Sequence, residues 1–459
     1  MTRAASRNTR ATDAATRAAR EASGRALRRQ APRSSHADWS PLPDRPDPIE
    51  LLRATDRVRR PELLPIRYGR MALSPFSFLR GAATVMARDM APTPVTGLRV
   101  QLCGDAHVSN FGFFGTPERD QVFDVNDFDE TLPGPWEWDV KRLATSLVVT
   151  GRQNRYGRTV IRNAARAAVH AYRGMMSRFA RMRYLDTWYF HLDRQSQSSL
   201  AGRAPRKLME RASAKDRPKT RLHAFPKLAG TTQGRARIRD DPPLIVHYKD
   251  LSAFEESRAF FERYLATLPE ERRMLLDRYH IKDVAQKVVG VGSVGLSCSV
   301  LLLTADSDVE DPIFLQLKEA TASALEPILG ASAYANHAER VVVGQHLVQE
   351  ASDIFLGWSR HRSQDFYVRQ LWDMKFSYDI STLGPREFIG QAELCGTALA
   401  RGHARTGDPA QISGYLGNRG LFDEATTTFA ERYADQTERD YRALLQAIKQ
   451  GRVAADVIT

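Results

Sequence analysis

Residues 101–112 read QLCGDAHVSNFG and residues 122–130 read VFDVNDFDE, and these two short stretches decide the fold. Each begins in an apolar run that predicts a buried strand and ends in a polar loop. Loops at strand ends are where binding and catalytic side chains concentrate. Asp105, Asn110 and Asp127 are therefore expected to face one common site.

The residue types in the two loops indicate a particular chemistry. Carboxylate and amide oxygens are the ligands that hard cations prefer. An Asp and an Asn five residues apart, with a second Asp beyond a short hairpin, is the layout of a phosphoryl-transfer catalytic loop. The competing interpretation is that Asp, Asn and Gly are simply turn residues. That interpretation suits either loop alone better than it suits both loops together at this spacing.

The loops resemble those of aminoglycoside phosphotransferases and choline kinases, which are members of the protein-kinase-like superfamily. The catalytic loop of that family is similar to HGDLHxxN, its metal loop to IDFDD, and a later helix to DPAYDLA. The matching stretches here are CGDAHVSN at 103–110, VNDFDE at 125–130 and WEWDVKRLA at 136–144.

The resemblance implies a role for each matching residue. Asp105 is then the catalytic Asp, Asn110 and Asp127 are metal ligands, Asp129 is a second acidic residue, and Asp139 is the helix Asp that braces the catalytic loop. Two further positions in the catalytic loop carry less information. Cys103 replaces the usual His of the family, and His107 is either a substrate contact or, more commonly for such a residue, a structural hydrogen-bonder.

A glycine-rich stretch, GVGSVG at 290–295, lies far downstream. A dinucleotide-binding turn would be followed at once by a helix. The residues that follow here, LSCSVLLL, are instead rich in strand formers. The order strand, glycine loop, strand, strand with Lys is that of a kinase nucleotide-binding lobe. The nucleotide-binding candidates in the loop are Gly290, Gly292, Ser293 and Gly295.

Lys318 ends the apolar strand IFLQL and is the predicted ligand of the α- and β-phosphates. The alternative is an ordinary lysine at the edge of a strand. The next predicted helix carries Glu326 and Glu339. Glu339 is the expected ion-pair partner of Lys318, and a hinge near 370–373 is expected to contact adenine.

The predicted parts occur in an unusual order, because the glycine loop follows the catalytic loop. We therefore predict an α+β, protein-kinase-like two-lobed fold that is circularly permuted, which moves chain ends only between surface points. The predicted units are a disordered basic leader at 1–48, the first part of a helical large lobe at 49–195, a basic connecting segment at 196–250, a five-stranded nucleotide lobe at 251–380 and the helical remainder at 381–459.

The chain from about residue 50 also resembles a bacterial family known as domain of unknown function 2252. The matching stretches include SPFSFLRGAA at 74–83, FDVNDFDET at 123–131 and GHARTGD at 402–408. This resemblance adds Arg80, His403 and Asp408 as candidates, each with a structural role at least as well supported as a role in binding substrate. It implies no activity.

Composition bounds the remaining properties. The formal charge of +13 is concentrated in residues 1–40 and 201–240, which predicts solvated basic segments better than specific nucleic-acid binding. The basic start also has features of an organelle transit peptide. No apolar run is long enough for a membrane span, and three widely spaced cysteines indicate buried, reduced thiols in a cytoplasmic protein.

The expected function is an ATP- and Mg²⁺-dependent phosphotransferase, with Mn²⁺ as an alternative cation and a small molecule or a protein as the acceptor. Three alternatives remain open: transfer of AMP on the same fold, a nucleotide-binding pseudokinase, and a metal-dependent hydrolase that uses the carboxylates alone. The sequence leaves the acceptor and the oligomeric state undetermined.

Overall fold

The structure is a computed structural model that describes residues 16–193, 208, 228–232, 235–248, 252–288, 290–305, 311–371 and 377–456. Its α-helices within these residues are α1 Arg17–Ala26, α2 Pro48–Asp56, α3 Leu64–Met71, α4 Pro75–Gly81, α5 Ala83–Met90, α6 Trp136–Gln153, α7 Arg158–Phe179, α8 Tyr184–Trp188, α9 Ser252–Leu265, α10 Glu270–Leu276, α11 Glu326–Leu329, α12 His337–Val348, α13 Pro385–Thr406, α14 Pro409–Leu416 and α15 Leu421–Lys449. None of the described helices is long and apolar enough to cross a membrane.

The strands of the described residues fall into four antiparallel sets. They are β1 Arg99–Leu102, β2 Phe111–Gly115, β3 Gln121–Val125, β4 Leu132–Pro135, β5 Ala229–Thr232, β6 Arg235–Ile238, β7 Ile245–His247, β8 His280–Lys287, β9 Cys298–Thr304, β10 Pro312–Ala320, β11 Gly357–His361 and β12 Gln364–Gln370. β1 pairs with β4, β2 with β3 and β5 with β6, while the other six form one sheet in the order β11-β12-β10-β9-β8-β7. The molecule is thus a mixed α+β protein, as the sequence predicts.

The six-stranded sheet has one more strand than expected, because β7 joins its edge. The strand predicted at the start of the glycine stretch is displaced: β8 ends at Lys287, and 291–293 form a single helical turn. One face of the sheet packs on α9, where Phe260 and Tyr264 contact an apolar cluster that includes Leu315 and Leu317. Since side chains alternate along a strand, the residues between these leucines point to the opposite face.

Most of the helical core is built by α6, α7, α13 and α15. Trp136 at the start of α6 is fully buried and stacks on Tyr172 of α7, with ring centroids 5.6 Å apart. α7 also lies close against α13: a Cβ atom on Gly396 would come within 2.0 Å of the backbone oxygen of Ala168. This core holds α6 in place, and α6 in turn supports the loop that follows β1.

Residues 16–48 do not form the disordered leader that the sequence predicts. α1 crosses α14 at two glycines, because a Cβ on Gly24 would lie 2.0 Å from the backbone oxygen of Gln411 and a Cβ on Gly414 would lie 2.2 Å from that of Glu21. Arg28 donates to the backbone oxygens of Gly414 and Tyr415. Residues 1–15 lie outside the described residues.

Ala82 separates α4 from α5, because it leaves helical geometry with φ −114° and ψ 37°. The basic connecting segment predicted at 196–250 contains regular structure, since the β5–β6 hairpin packs Ala236 and Ile238 against the sheet. Most of the rest of that segment, and residues 372 and 373 of the expected hinge, lie outside the described residues.

Candidate functional site

A pocket lies between the six-stranded sheet and the loops that follow β1 and β3. Most of the residues that the sequence analysis selects line it, although they come from distant parts of the chain. They are Arg80, Asp105, His107, Asn110, Asp127, Asp129, Gly290, Gly292, Ser293 and Lys318. Four selected residues do not line it, namely Asp139, Gly295, Glu339 and His403.

The loop after β1 is shaped by a glycine and held by a buried carboxylate. Gly104 has φ +85°, and a Cβ there would lie 2.2 Å from the backbone oxygen of Glu130, so a side chain is excluded on both counts. Asp139 of α6 accepts hydrogen bonds from the backbone nitrogens of Cys103 and Gly104, at 2.8 and 3.1 Å. Asp139 therefore supports the loop from behind the pocket.

His403 lies one layer further back. Its Nε2 is 3.3 Å from Asp139 and its Nδ1 is 2.9 Å from the hydroxyl of Tyr172, and all three side chains are buried. His403 is thus a structural hydrogen-bonder beneath the loop that follows β1, and it does not line the pocket. Asp408 of the same sequence stretch caps the N-terminus of α14.

Asp105 is the carboxylate that the loop presents to the pocket. Burial raises its pKa to about 6, although the Arg142 guanidinium, which forms an ion pair with it, opposes that rise. His107 Nε2 lies 3.7 Å from Asp105, and burial together with Arg80 and Arg142 lowers the pKa of His107 well below its ordinary value. At neutral pH, Asp105 is mainly ionised and His107 is neutral.

Asn110 connects the two loops. Its side-chain nitrogen donates to the backbone oxygen of Asp105 at 2.7 Å, and its backbone oxygen accepts from the nitrogen of Asn126 at 2.8 Å. Because the amide nitrogen is already used, the side-chain oxygen of Asn110 remains as an acceptor in the pocket that Asp127 also lines. In the part of the chain that is described, no three His, Cys, Asp or Glu side chains form a ready-made metal cage.

Lys318 is paired with the loop that follows β3. It lies on the pocket face of β10, forms an ion pair with Asp129 and is 3.8 Å from Asp127. Burial alone would lower the pKa of Lys318, but these two carboxylates raise it above its ordinary value. Asp129 also accepts from Ser293 Oγ at 3.0 Å and from the hydroxyl of Tyr367 at 2.7 Å. One carboxylate thus links the glycine loop, β10 and β12.

The prediction of Glu339 as the partner of Lys318 is wrong. Glu339 lies in the first turn of α12, and its successor Arg340 reaches the loop that follows β3. The Arg340 side chain is 1% exposed and donates to the backbone oxygens of Asp129 at 2.8 Å and Thr131 at 2.7 Å. The helix therefore anchors the backbone of the loop, and the loop itself provides the carboxylate for Lys318.

The glycine loop is anchored to the helices that precede β1. Arg59 donates to the backbone oxygens of Gly292 at 2.8 Å and Val294, and the nitrogen of Arg60 donates to the oxygen of Gly295 at 2.8 Å. Gly295 has φ +93° and packs beneath Arg59, which explains why it stays outside the pocket lining. Val291 is buried in the apolar cluster of α2 to α5.

Several residues of the site are absent from the sequence prediction. Arg142 lies three residues after Asp139 on α6, a spacing that places both side chains on one helix face. This spacing in the sequence could therefore have identified Arg142. Gln316 lies two residues before Lys318, and Tyr367 lies two before Arg369, so strand alternation brings each pair to the same face. For Arg59 no motif exists, because its role depends on a contact with the distant glycine loop.

A family model described as an uncharacterized protein conserved in bacteria, DUF2252, matches residues 59–447. No curated protein and no solved structure gives a significant match to the chain. The matched range contains the loops after β1 and β3, the glycine loop and Lys318. The chain therefore belongs to the bacterial DUF2252 family.

Proposed function

We propose that the protein is an ATP- and Mg²⁺-dependent phosphotransferase with a circularly permuted, protein-kinase-like two-lobed fold. The observation that carries this proposal is the composition of one pocket. Lys318 and the glycine loop, although they come late in the chain, line the same pocket as Asp105, Asn110 and Asp127. A kinase active site needs a catalytic Asp, metal-binding Asn and Asp, a phosphate-binding Lys and a glycine loop in this grouping.

The order of elements in the sheet supports the same proposal. From β8 the chain runs through the glycine loop to β9 and β10, then through α12 to β11 and β12. A kinase nucleotide lobe has this succession of strand, glycine loop, strand, strand with Lys, helix and two strands. The catalytic and metal loops precede it here, which is the reordering that a circular permutation produces.

The side chains in the pocket fit a nucleotide with its metal. Mg²⁺ commonly binds through one or two protein ligands together with substrate phosphates and waters, so a cage made by protein alone is not needed. Asn110 and Asp127 would hold the cation, and Lys318 would hold phosphate oxygens. When bound, ATP supplies the phosphoryl group and Mg²⁺ neutralises the charge that develops during transfer.

The residues of the chain would then act as follows. Asp105 accepts the proton of the acceptor hydroxyl as that oxygen bonds to the γ-phosphorus, and the bond from this phosphorus to the leaving oxygen of ADP breaks. A pKa of about 6 leaves Asp105 mainly ionised at neutral pH and so ready to accept a proton. Arg142 keeps the carboxylate oriented, and Lys318 holds oxygens of the departing ADP.

A nucleotide-binding experiment tests the first half of this proposal. The melting temperature of the protein is measured with ATP, with Mg²⁺, with both and with neither. Stabilisation by ATP that increases with Mg²⁺ is expected, and Lys318→Ala should weaken it by tenfold or more in Kd, while Lys282→Ala, which changes an exposed lysine on β8, should not. If Lys318→Ala has no effect on nucleotide binding, a hydrolase that uses the carboxylates alone is favoured.

The second half of the proposal, the transfer of a phosphoryl group, is tested by identifying the product. Purified protein is incubated with ATP and a metabolite extract, and the masses of new products are compared with those made by Asp105→Asn. The gain of a phosphate that depends on Asp105 supports phosphoryl transfer, whereas the gain of AMP identifies a nucleotidyl transferase. Nucleotide binding with every activity unchanged in Asp105→Asn identifies a pseudokinase.

A further inference from the structure

The pocket is lined by several cations, and most of them already have partners. Lys318 is paired with Asp129, and Arg67 donates to Asp56 at 2.7 Å. Arg59 donates to backbone oxygens of the glycine loop. The half-buried Arg369 donates to the side-chain oxygen of Gln316 at 3.0 Å. These contacts hold each of these cationic side chains in place without a ligand.

Arg80 differs from them. It lines the pocket, and among the described residues its guanidinium has neither a hydrogen-bond partner nor a carboxylate within 4 Å; its Nε is buried and unpaired. The side chain as a whole is half-buried, so the terminal nitrogens of the guanidinium are open to the pocket while the buried Nε lacks a partner. A buried polar atom without a partner is uncommon unless a ligand or a water completes it. An anion is the ligand that a guanidinium binds best, through two parallel charge-assisted hydrogen bonds.

The position of Arg80 indicates which substrate it would contact. Arg142 forms the ion pair with Asp105 and also donates to the backbone oxygen of Leu79 at 3.0 Å, which ties the end of α4 to the catalytic carboxylate. A Cβ on Gly292 would lie 3.7 Å from the backbone oxygen of Arg80, so α4 also contacts the glycine loop. Arg80 therefore enters the pocket on the side of Asp105, whose carboxylate, together with that of Asp127, acts electrostatically on the guanidinium.

The walls on this side limit the size of what can bind. Thr55, Arg67, Gly81 and Thr84 line the pocket from α2 to α5, and the tip of the glycine loop is docked on the same helices through Val291. The glycine loop and α4 are in contact, so together they form a wall of the pocket on the side where Arg80 lies. A wall on this side favours a small molecule over a polypeptide as the acceptor.

We propose that the phosphoryl acceptor is a small molecule that carries an anionic group as well as its hydroxyl, and that Arg80 binds the anionic group beside Asp105. This inference rests on the proposed function, because it assigns the acceptor side of the same pocket. A carboxylate and a phosphate share the chemistry that Arg80 recognises, and the experiment separates them.

The test measures anion binding by calorimetric titration. Inorganic phosphate and acetate are titrated separately into the wild-type protein, first alone and then saturated with Mg²⁺ and adenylyl imidodiphosphate, an ATP analogue that resists hydrolysis. The same titrations are made with Arg80→Gln, with Arg80→Lys and with Arg88→Gln. Arg88 is the matched control, since it is an exposed arginine on the neighbouring helix α5.

One anion is expected to bind the protein while the analogue is bound, and the preferred probe shows whether the acceptor group is a phosphate or a carboxylate. Arg80→Gln should weaken that binding by about tenfold or more, while Arg80→Lys recovers part of it and Arg88→Gln leaves it unchanged. The analogue should bind all variants equally well. Competition between anion and analogue, or equal weakening of both by Arg80→Gln, would assign Arg80 to the nucleotide phosphates and overturn the proposal.

Failure of the proposed function gives a different pattern. If the analogue does not bind but phosphate or acetate still binds in an Arg80-dependent way, the anion subsite is retained and the nucleotide site is lost. If the analogue binds and neither anion does, the nucleotide site stands and the inference about the acceptor is wrong.

Discussion

The replacement Lys318→Met tests the ion pair at the centre of the pocket through protein stability, without any assumption about the substrate. The Lys318 side chain is 4% exposed and that of Asp129 is 24% exposed. Removal of one partner from a buried ion pair costs about 3–5 kcal/mol, because the remaining charge is left without its counter-ion. Asp129 keeps its hydrogen bonds from Ser293 and Tyr367, so the expected loss lies near the lower end, about 3 kcal/mol.

The measurement is urea unfolding followed by tryptophan fluorescence at neutral pH, with a chelator present so that no adventitious cation replaces the lysine. The double variant Lys318→Met/Asp129→Asn removes both charges and should recover at least about 1 kcal/mol relative to Lys318→Met. Lys282→Met is the control and should change the unfolding free energy by less than about 0.5 kcal/mol.

Two results would refute this reasoning. A loss below about 1 kcal/mol for Lys318→Met would be typical of a solvent-screened surface pair. Strict additivity in the double variant would show that Lys318 and Asp129 do not interact. Either result would mean that the lysine is available to the pocket without a competing carboxylate.

Three further predictions concern the support of the site. Gly104→Ala should destabilise the protein by at least about 2 kcal/mol in urea, and more than Gly97→Ala, because both have positive φ but only Gly104 abuts backbone atoms. Asp139→Asn should cost about 2 kcal/mol in the same assay, since an amide oxygen can satisfy only one of the two backbone nitrogens that the carboxylate now accepts from, and retention of full stability would contradict this account. Arg401→Met should cost about 4 kcal/mol, because Asp124 is fully buried beside it. Burial raises the pKa of Asp124 to about 6, so its ionised form disfavours folding at neutral pH. The loss of unfolding free energy in the variant should therefore shrink as the pH is lowered and Asp124 is protonated. A loss that is constant with pH would argue against the pair.

The parts of the site that the sequence predicted are those set by local pattern. The strands before Asp105 and Asp127 are short apolar runs that end in polar loops, and β8, β9 and β10 are separated by glycine and aspartate. Lys318 stands out because it is charged within an apolar strand. Each of these signals lies within about ten residues of the side chain that it identifies, so no knowledge of the distant contacts is required.

The predictions that are wrong concern residues whose positions depend on contacts between distant elements. The sequence predicts Glu339 as the partner of Lys318, yet the turn of a helix that faces a loop depends on where the helix begins, and helix ends are poorly determined by sequence. α1 looks like a low-complexity basic tail because its docking depends on close approach at Gly24, which only the partner helix α14 reveals. The family resemblance indicates Arg80, but only the structure shows that its guanidinium has no partner among the described residues.

Under the proposed function, the pair of Asp105 and Arg142 predicts a pH profile that separates a positioning role from a merely structural one. Burial raises the pKa of Asp105, and the Arg142 guanidinium limits that rise. In Arg142→Met the opposing charge is gone, so the pKa of Asp105 rises further and the carboxylate stays protonated to higher pH. Because only the ionised form accepts the acceptor proton, the acid limb of turnover should move to higher pH by about one unit or more, whereas Arg142→Lys should move it less. Variants that lose turnover equally at every pH would show that Arg142 supports the fold of the loop but does not set the charge state of Asp105.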